Sequence, residues 1–401
     1  MHDTLTQARN ARWAVATMFL ANGFVMGAWA PQIPLLLPRH QITESVLGLL
    51  ILVLGIGAVG SMLFSGRLIA RFGARRVLSV FSLALIPVLP AVVFSPSIPA
   101  LALFMAAFGA MAGCMDVAMN AQAVEVEKRL NRAIMSSSHG FWSLGGFLGG
   151  SAGSYVILVW GSEVQSLITA AITALLVFSA MPFLLSTAPA PLTVTAAPKQ
   201  HLLPRDAGIW ILGFMAFFSM VPEGAVLDWA AIYLSKELGS DVFRSGLAFA
   251  FFAGAMAIMR FMGDHVRNRF GAVQTLRVSG FLGAAGMMGG ALAPNDLVAI
   301  ASFAISGLGI ANMVPIMFSA AGNHARLPSA VGISTVTMVG YCGILVAPSS
   351  IGYLAEHFGF RPTYAALSLL LVAVALLAGR TADADRLNRD APSQAASSPA
   401  N

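Results

Sequence analysis

Residues 46–76 read VLGLLILVLGIGAVGSMLFSGRLIARFGARR. The first 21 of them, 46–66, carry no charge, and the next ten carry Arg67, Arg71, Arg75 and Arg76. A bilayer core about 30 Å thick needs roughly 20 apolar residues of helix to cross it. The stretch therefore predicts a membrane-spanning helix that ends in a basic loop. That ending occurs twice: Arg71-Phe72-Gly73-Ala74 returns 198 residues later as Arg269-Phe270-Gly271-Ala272. Trp29-Ala30 returns as Trp229-Ala230, and Ser45 as Ser245, at an offset of 200. The reading is a duplicated membrane unit.

Composition agrees. Over 401 residues, 57% are hydrophobic and 10% charged, and the mean hydropathy is +0.79. A soluble domain carries roughly 25% charged residues, so soluble enzymes, nucleic-acid-binding folds and disordered chains are excluded together. Twelve apolar runs lie near 13–37, 46–66, 77–94, 98–123, 139–160, 164–186, 208–234, 243–262, 273–292, 296–320, 329–352 and 361–379. The expected fold is an all-α polytopic membrane protein with twelve transmembrane helices in two six-helix bundles.

Nineteen Lys and Arg, with Arg260 counted among them, fall in loops on the N-terminal side. Four, Arg39, Lys236, Arg244 and Arg361, fall on the other. This bias puts both termini in the cytoplasm. The net charge of +6 is then a topology signal, and no nucleic-acid partner is expected. Arg9, Arg12 and Ala28-Trp29-Ala30 superficially fit a cleaved signal peptide, but an even number of crossings requires the first run as a span.

The expected divisions are 1–188 (first bundle), 189–206 (a Pro/Ala/Thr-rich cytoplasmic linker), 207–380 (second bundle) and 381–401 (a disordered Ala/Ser/Pro-rich tail). None of the three lysines follows a glycine, so there is no phosphate loop of the G-K-[ST] kind. No H-E-x-x-H and no histidine cluster occurs. Neither enzyme activity, cofactor nor metal is expected, and Cys114 and Cys342 form no framework.

Twelve spans in two halves, each with a basic glycine-containing loop after its second span, resemble the major facilitator superfamily. In that family the loop latches the cytoplasmic face. The resemblance implies gating roles for Gly66, Arg71, Gly73, Arg75 and Arg76 in the first copy, and for Asp264, Arg269 and Gly271 in the second. Ala70 stands where the family has an acid, so the arginines of the first copy either latch or only set topology. The resemblance further implies a monomeric carrier of a small solute, held in membrane lipid, in the cytoplasmic membrane of a bacterium.

Ionisable groups inside spans are expensive and are functional candidates by default. Asp116 lies 11 residues before Glu127, about 16 Å of helix rise, and Asn120 follows on the same face. A carboxylate carried from water towards lipid loses the solvation of its charged form. Its proton occupancy then follows local hydration. Asp116 either couples protons and contacts substrate or is a structural, paired acid. Residues 113–120, Gly-Cys-Met-Asp-Val-Ala-Met-Asn, are similar to the fourth helix of the fucose–proton symporters. That resemblance implies proton coupling and sugar recognition for Asp116 and Asn120. The branch's first-helix acid has no equivalent, since Asn22 and Gln32 are the polar residues between Leu20 and Leu37. Fucose itself is not implied.

His139 opens the fifth span and either shuttles protons with Asp116 or caps the helix. Gly145, Gly146, Gly149, Gly150 and Gly153 make a close-packing stripe behind it. Antiporters of the superfamily often carry a proline in this helix. None occurs from Ser136 to Trp160, which leans towards symport. Pro222-Glu223-Gly224 suggests a broken seventh helix, with Glu223 in the outer half as a proton-coupling, substrate or gating group. Asp228 is a further substrate candidate, and Asn312 is either a cavity amide or a packing group. Trp29, Trp142 and Trp229 are deep enough to stack on a sugar ring or to pack. The expected function is proton-coupled symport of a small polar solute, best a sugar, with proton-coupled efflux as the alternative.

Overall fold

The computed structural model describes residues 2–130, 134–186, 204, 206–324 and 329–385. No strand occurs among them. The first half contains α1 (His2–Trp29), α2 (Ile33–His40), α3 (Glu44–Phe72), α4 (Ala74–Leu85), α5 (Val88–Val93), α6 (Ile98–Leu130) and α7 (Met135–Ala180). The second contains α8 (Ala207–Glu237), α9 (Val242–Phe270), α10 (Ala272–Ala291), α11 (Asp296–Ile310), α12 (Met313–Gly322), α13 (Ser329–Phe358) and α14 (Phe360–Leu377).

Ten helical stretches among the described residues are long and apolar enough to cross a membrane. One of them, Ser137–Phe183, has 47 residues and reverses at Gly161, where φ is +85°. A side chain at positive φ costs about 1–2 kcal/mol, so glycine is what permits this turn between the two arms. The 20-residue α10 packs between α11 and α14.

Two expectations about helix breaks are corrected. α8 runs unbroken through Pro222, and Glu223 sits near its middle, sixteen residues from Ala207 and fourteen from Glu237. A break does occur at Ala311–Asn312, between α11 and α12. Pro315, which has no N–H to donate to the carbonyl four residues back, lies just beyond it.

Lipid offers no hydrophobic drive between helices, so close approach through small residues holds the bundle. The glycine stripe of α7 serves two partners. A β-carbon on Gly145 would lie 2.2 Å from the Leu20 carbonyl oxygen of α1. On the adjacent face, Gly150 meets the Ala250 β-carbon of α9 at 3.0 Å from its own β-position. This seats the first half directly on the second. Gly109 of α6 in turn seats against the Leu54 carbonyl of α3.

At the face away from the chain termini the halves are also tied by charge. Lys236 pairs with Glu44, and the Ser45 N–H donates to Glu356 at 2.9 Å. There α3 crosses α13 where Gly48 meets the Pro348 carbonyl.

Most of the expected linker, 189–203 and 205, lies outside the described residues. So does 386–401, but the tail does not begin disordered. Ala378–Asp385 forms a 3-10 stretch with Thr381 and Ala384 buried, and Arg267 donates to the Ala384 carbonyl at 2.6 Å.

Candidate functional site

Glu127, near the end of α6, accepts hydrogen bonds from the Ile134 and Met135 N–H groups at 2.6 and 2.9 Å. This satisfies donors at the start of α7 and fixes α7 beside α6. Asp116 and Asn120 follow one another on α6, and the Asn120 amide donates to the Asp116 carbonyl at 2.9 Å and its Oδ1 at 3.3 Å. The pair is half-buried. Tyr341, mid-way along α13, lies within electrostatic reach of both Asp116 and Glu223. Acids from the two halves thus act electrostatically on one tyrosine.

Arg260 joins them. Its Nη1 donates to Ser143 Oγ of α7 at 2.6 Å, and its Nη2 to Glu223 Oε1 at 3.4 Å. Its side chain is only 13% exposed. This corrects the sequence reading, which counted Arg260 among the loop cations. α9 continues ten residues further, to Phe270, so the guanidinium is held inside the bundle across the seam between halves. The signal was present, since Arg260 falls within the apolar run 243–262. His139, one turn before Ser143, lies edge-on to Phe19 with ring centroids 5.1 Å apart, within electrostatic reach of Arg260. It is no terminal cap. Trp142 donates from Nε1 to Asn22 Oδ1 at 2.9 Å, and Asn22 donates onward to the Ala112 carbonyl at 3.4 Å. That chain stitches α1, α6 and α7 behind the acids.

The structure brings together Asp116, Asn120, His139 and Glu223, with Asn22 and Trp142 in support, and adds Ser143, Arg260 and Tyr341. Other candidates do not join them. Trp29 is fully buried against Phe108, ring centroids 5.8 Å apart, and offers no face to a solute. Trp229 is likewise fully buried. Gln32 is spent at the far end on the Ser162 carbonyl and Gln165. Asp228 is buried on α8 within reach of Tyr364, inside the second half and not solvated at its rim. Asn312 packs on the α9 backbone at Gly263, and its Nδ2 has no hydrogen-bond partner among the described residues. No group of three or more metal-ligating side chains occurs among the described residues.

The two basic loops share one geometry. Gly73 and Gly271 have φ of +82° and +77°, and each joins two helices. Arg71 stacks on Phe72 at 5.1 Å and Arg269 on Phe270 at 5.8 Å. Arg75 reaches the Pro182 carbonyl at 3.3 Å, tying the first loop to the end of its own half. Arg76 is exposed, as is Gly66, which has open space around its β-position. The Asp264 side chain lies outside the described residues.

Comparison with known proteins bears on the whole chain. A family model, Major Facilitator Superfamily, matches residues 15–337. An uncharacterized MFS-type transporter of Yersinia pestis is 34% identical over 361 residues, covering 89% of this chain and 92% of its own. Membrane protein MosC of Rhizobium meliloti is 33% identical, covering 86% and 84%. Among solved structures, the D-xylose-proton symporter superposes with a TM-score of 0.72 at 16% identity, covering 92% of this chain and 96% of that one. The nucleoside transporter NupG superposes with a TM-score of 0.68 at 14% identity, covering 93% and 99%; at such identities the likeness concerns fold alone. With the duplicated helical halves, these matches establish that the chain belongs to the major facilitator superfamily of membrane transporters.

Proposed function

We propose that the protein is a proton-coupled symporter that carries a small polar solute, a sugar by first choice, across the cytoplasmic membrane of a bacterium. Twelve crossings in two six-helix halves would place both termini in the cytoplasm. The observation that carries the reading is the convergence of Asp116 from one half and Glu223 from the other on Tyr341, with Arg260 reaching across to Ser143. A solute bound there touches both halves at once, so its binding and release are tied to their rocking. The ties at Glu44–Lys236 and Ser45–Glu356 hold the far face together in this arrangement, and the glycine seam between α7 and α9 is the fixed line about which the halves turn.

Proton coupling rests on the carboxylates. An acid at this depth is costly to ionise when dehydrated and cheap when water reaches it, so it loads and unloads a proton as the seam opens to either side. The fold neighbours are described as a D-xylose-proton symporter and a nucleoside transporter, both handling polar solutes. The likeness of residues 113–120 to the fucose–proton symporters guides the mechanism and not the solute. The test is uptake of labelled sugars and metabolites into proteoliposomes with a pH gradient imposed in each direction. Accumulation down the proton gradient supports symport. Accumulation only against it establishes antiport in its place, and flux indifferent to pH removes proton coupling.

A further inference from the structure

We infer that the solute carries a carboxylate and that Arg260 receives it. The inference rests on the symport reading above and narrows its substrate to a hydroxy or sugar acid. A guanidinium inside the bundle is costly, and packing alone gives no reason to keep one, since buried ion pairs are often replaceable by apolar side chains. Arg260 also stands on the seam: it donates to Ser143 of the first half and to Glu223 of the second. Its planar fork of N–H donors matches a carboxylate in a way that no neutral hydroxyl does.

Charge accounting points the same way. The groups facing Arg260 include Glu223 on α8 and His139 and Ser143 on α7. Asp116 on α6 and Tyr341 on α13 close the cluster around Glu223. With the site empty, Glu223 pairs with Arg260. When a carboxylate solute enters, its oxygens take over Arg260, and one proton enters the acid cluster of Asp116 and Glu223 with it. On release the proton departs to water and Glu223 returns to Arg260. An anion and a proton enter together, so binding leaves the net buried charge of the cluster unchanged. One proton and one anion move together, and the step is electroneutral. A neutral sugar entering with a proton would instead shift the buried charge by one on every cycle.

The experiment uses the purified full chain and a panel of acids, each paired with its neutral alcohol, such as glucuronate with glucose and gluconate with glucitol. Thermal shifts are read between pH 8 and pH 6. The expected result is stabilisation by an acid over its alcohol, growing as pH falls because a proton binds with the anion. Arg260→Gln alone leaves Glu223 unpaired and risks misfolding, so the Arg260→Gln/Glu223→Gln double variant removes both charges. It should lose the acid preference, with apparent affinity falling about tenfold or more, the scale of one charge-assisted pair. A panel in which no acid outbinds its alcohol, or a double variant that keeps the preference, overturns the inference. Proton-coupled uptake of a neutral sugar would overturn it while leaving the symport reading intact. Acid preference with no pH dependence and no proton movement in proteoliposomes would keep the Arg260 site and sink the coupling.

Discussion

Gly149 of α7 faces Phe24 of α1 so closely that a β-carbon on the glycine would lie 2.1 Å from the Phe24 carbonyl oxygen. A backbone atom cannot rotate away as a side-chain end can. Gly149→Ala should therefore destabilise the protein by about 1–3 kcal/mol, the cost of overpacking. Gly60 of α3 is the control, with open space around its β-position. Gly60→Ala should be neutral or stabilise by up to about 1 kcal/mol through helix propensity. Melting of both variants in detergent checks this. Equal melting temperatures would mean that α1 and α7 are not seated this tightly.

Trp142→Phe tests the stitch between α1, α6 and α7. The substitution removes the Nε1 donor to Asn22 Oδ1, and Asn22 is only 4% exposed. An unsatisfied buried acceptor costs about 1–3 kcal/mol, so the variant should melt lower than wild type. Adding Asn22→Leu removes the stranded acceptor and should recover part of the loss. Strictly additive losses in this double-mutant cycle would show that the two side chains are not coupled.

Much of this was legible in the sequence. The four-residue spacing of Asp116 and Asn120 places both on one face of a helix, and the 198-residue offset foretells the matching glycine corners at Gly73 and Gly271. What hydropathy does not carry is rotation about a helix axis. A helix packed by protein on one side and lipid on the other is apolar all round, so depth alone made Trp29 and Trp229 resemble cavity residues when both are sealed. Arg260 was hidden for a related reason. It lies three residues before Gly263-Asp264, where the loop motif begins, although the helix carries on to Phe270. Tyr341 gave no sequence signal at all, because its significance comes from lying within electrostatic reach of carboxylates on α6 and α8.

The Glu44–Lys236 pair makes a modest prediction about gating. The lysine side chain is 49% exposed and the glutamate 12%, so solvent screens the pair and it contributes about 0.5 kcal/mol. Glu44→Gln should raise the population open at that face by roughly twofold, the factor corresponding to that energy. A cysteine at Ser349, on the α13 stretch that crosses α3, reports it through its rate of labelling by a membrane-impermeant thiol reagent. Cys342 is exposed and should first be replaced by serine. An unchanged labelling rate would show that the pair does not hold the face.

Asp116→Asn separates coupling from transport. Asparagine keeps an Oδ1 acceptor for the Asn120 amide, which bonds Asp116 at both its carbonyl and its Oδ1. The local packing should survive, with melting within about 1 kcal/mol of wild type. What disappears is a group that binds and releases a proton. Accumulation against a gradient should fall to the equilibrium level, while exchange of labelled for unlabelled solute across the same vesicles continues. Uptake by the variant should also lose its dependence on an imposed pH gradient. Undiminished accumulation in Asp116→Asn vesicles would remove Asp116 from the proton path and leave Glu223, across the seam, as the remaining acid of the cluster.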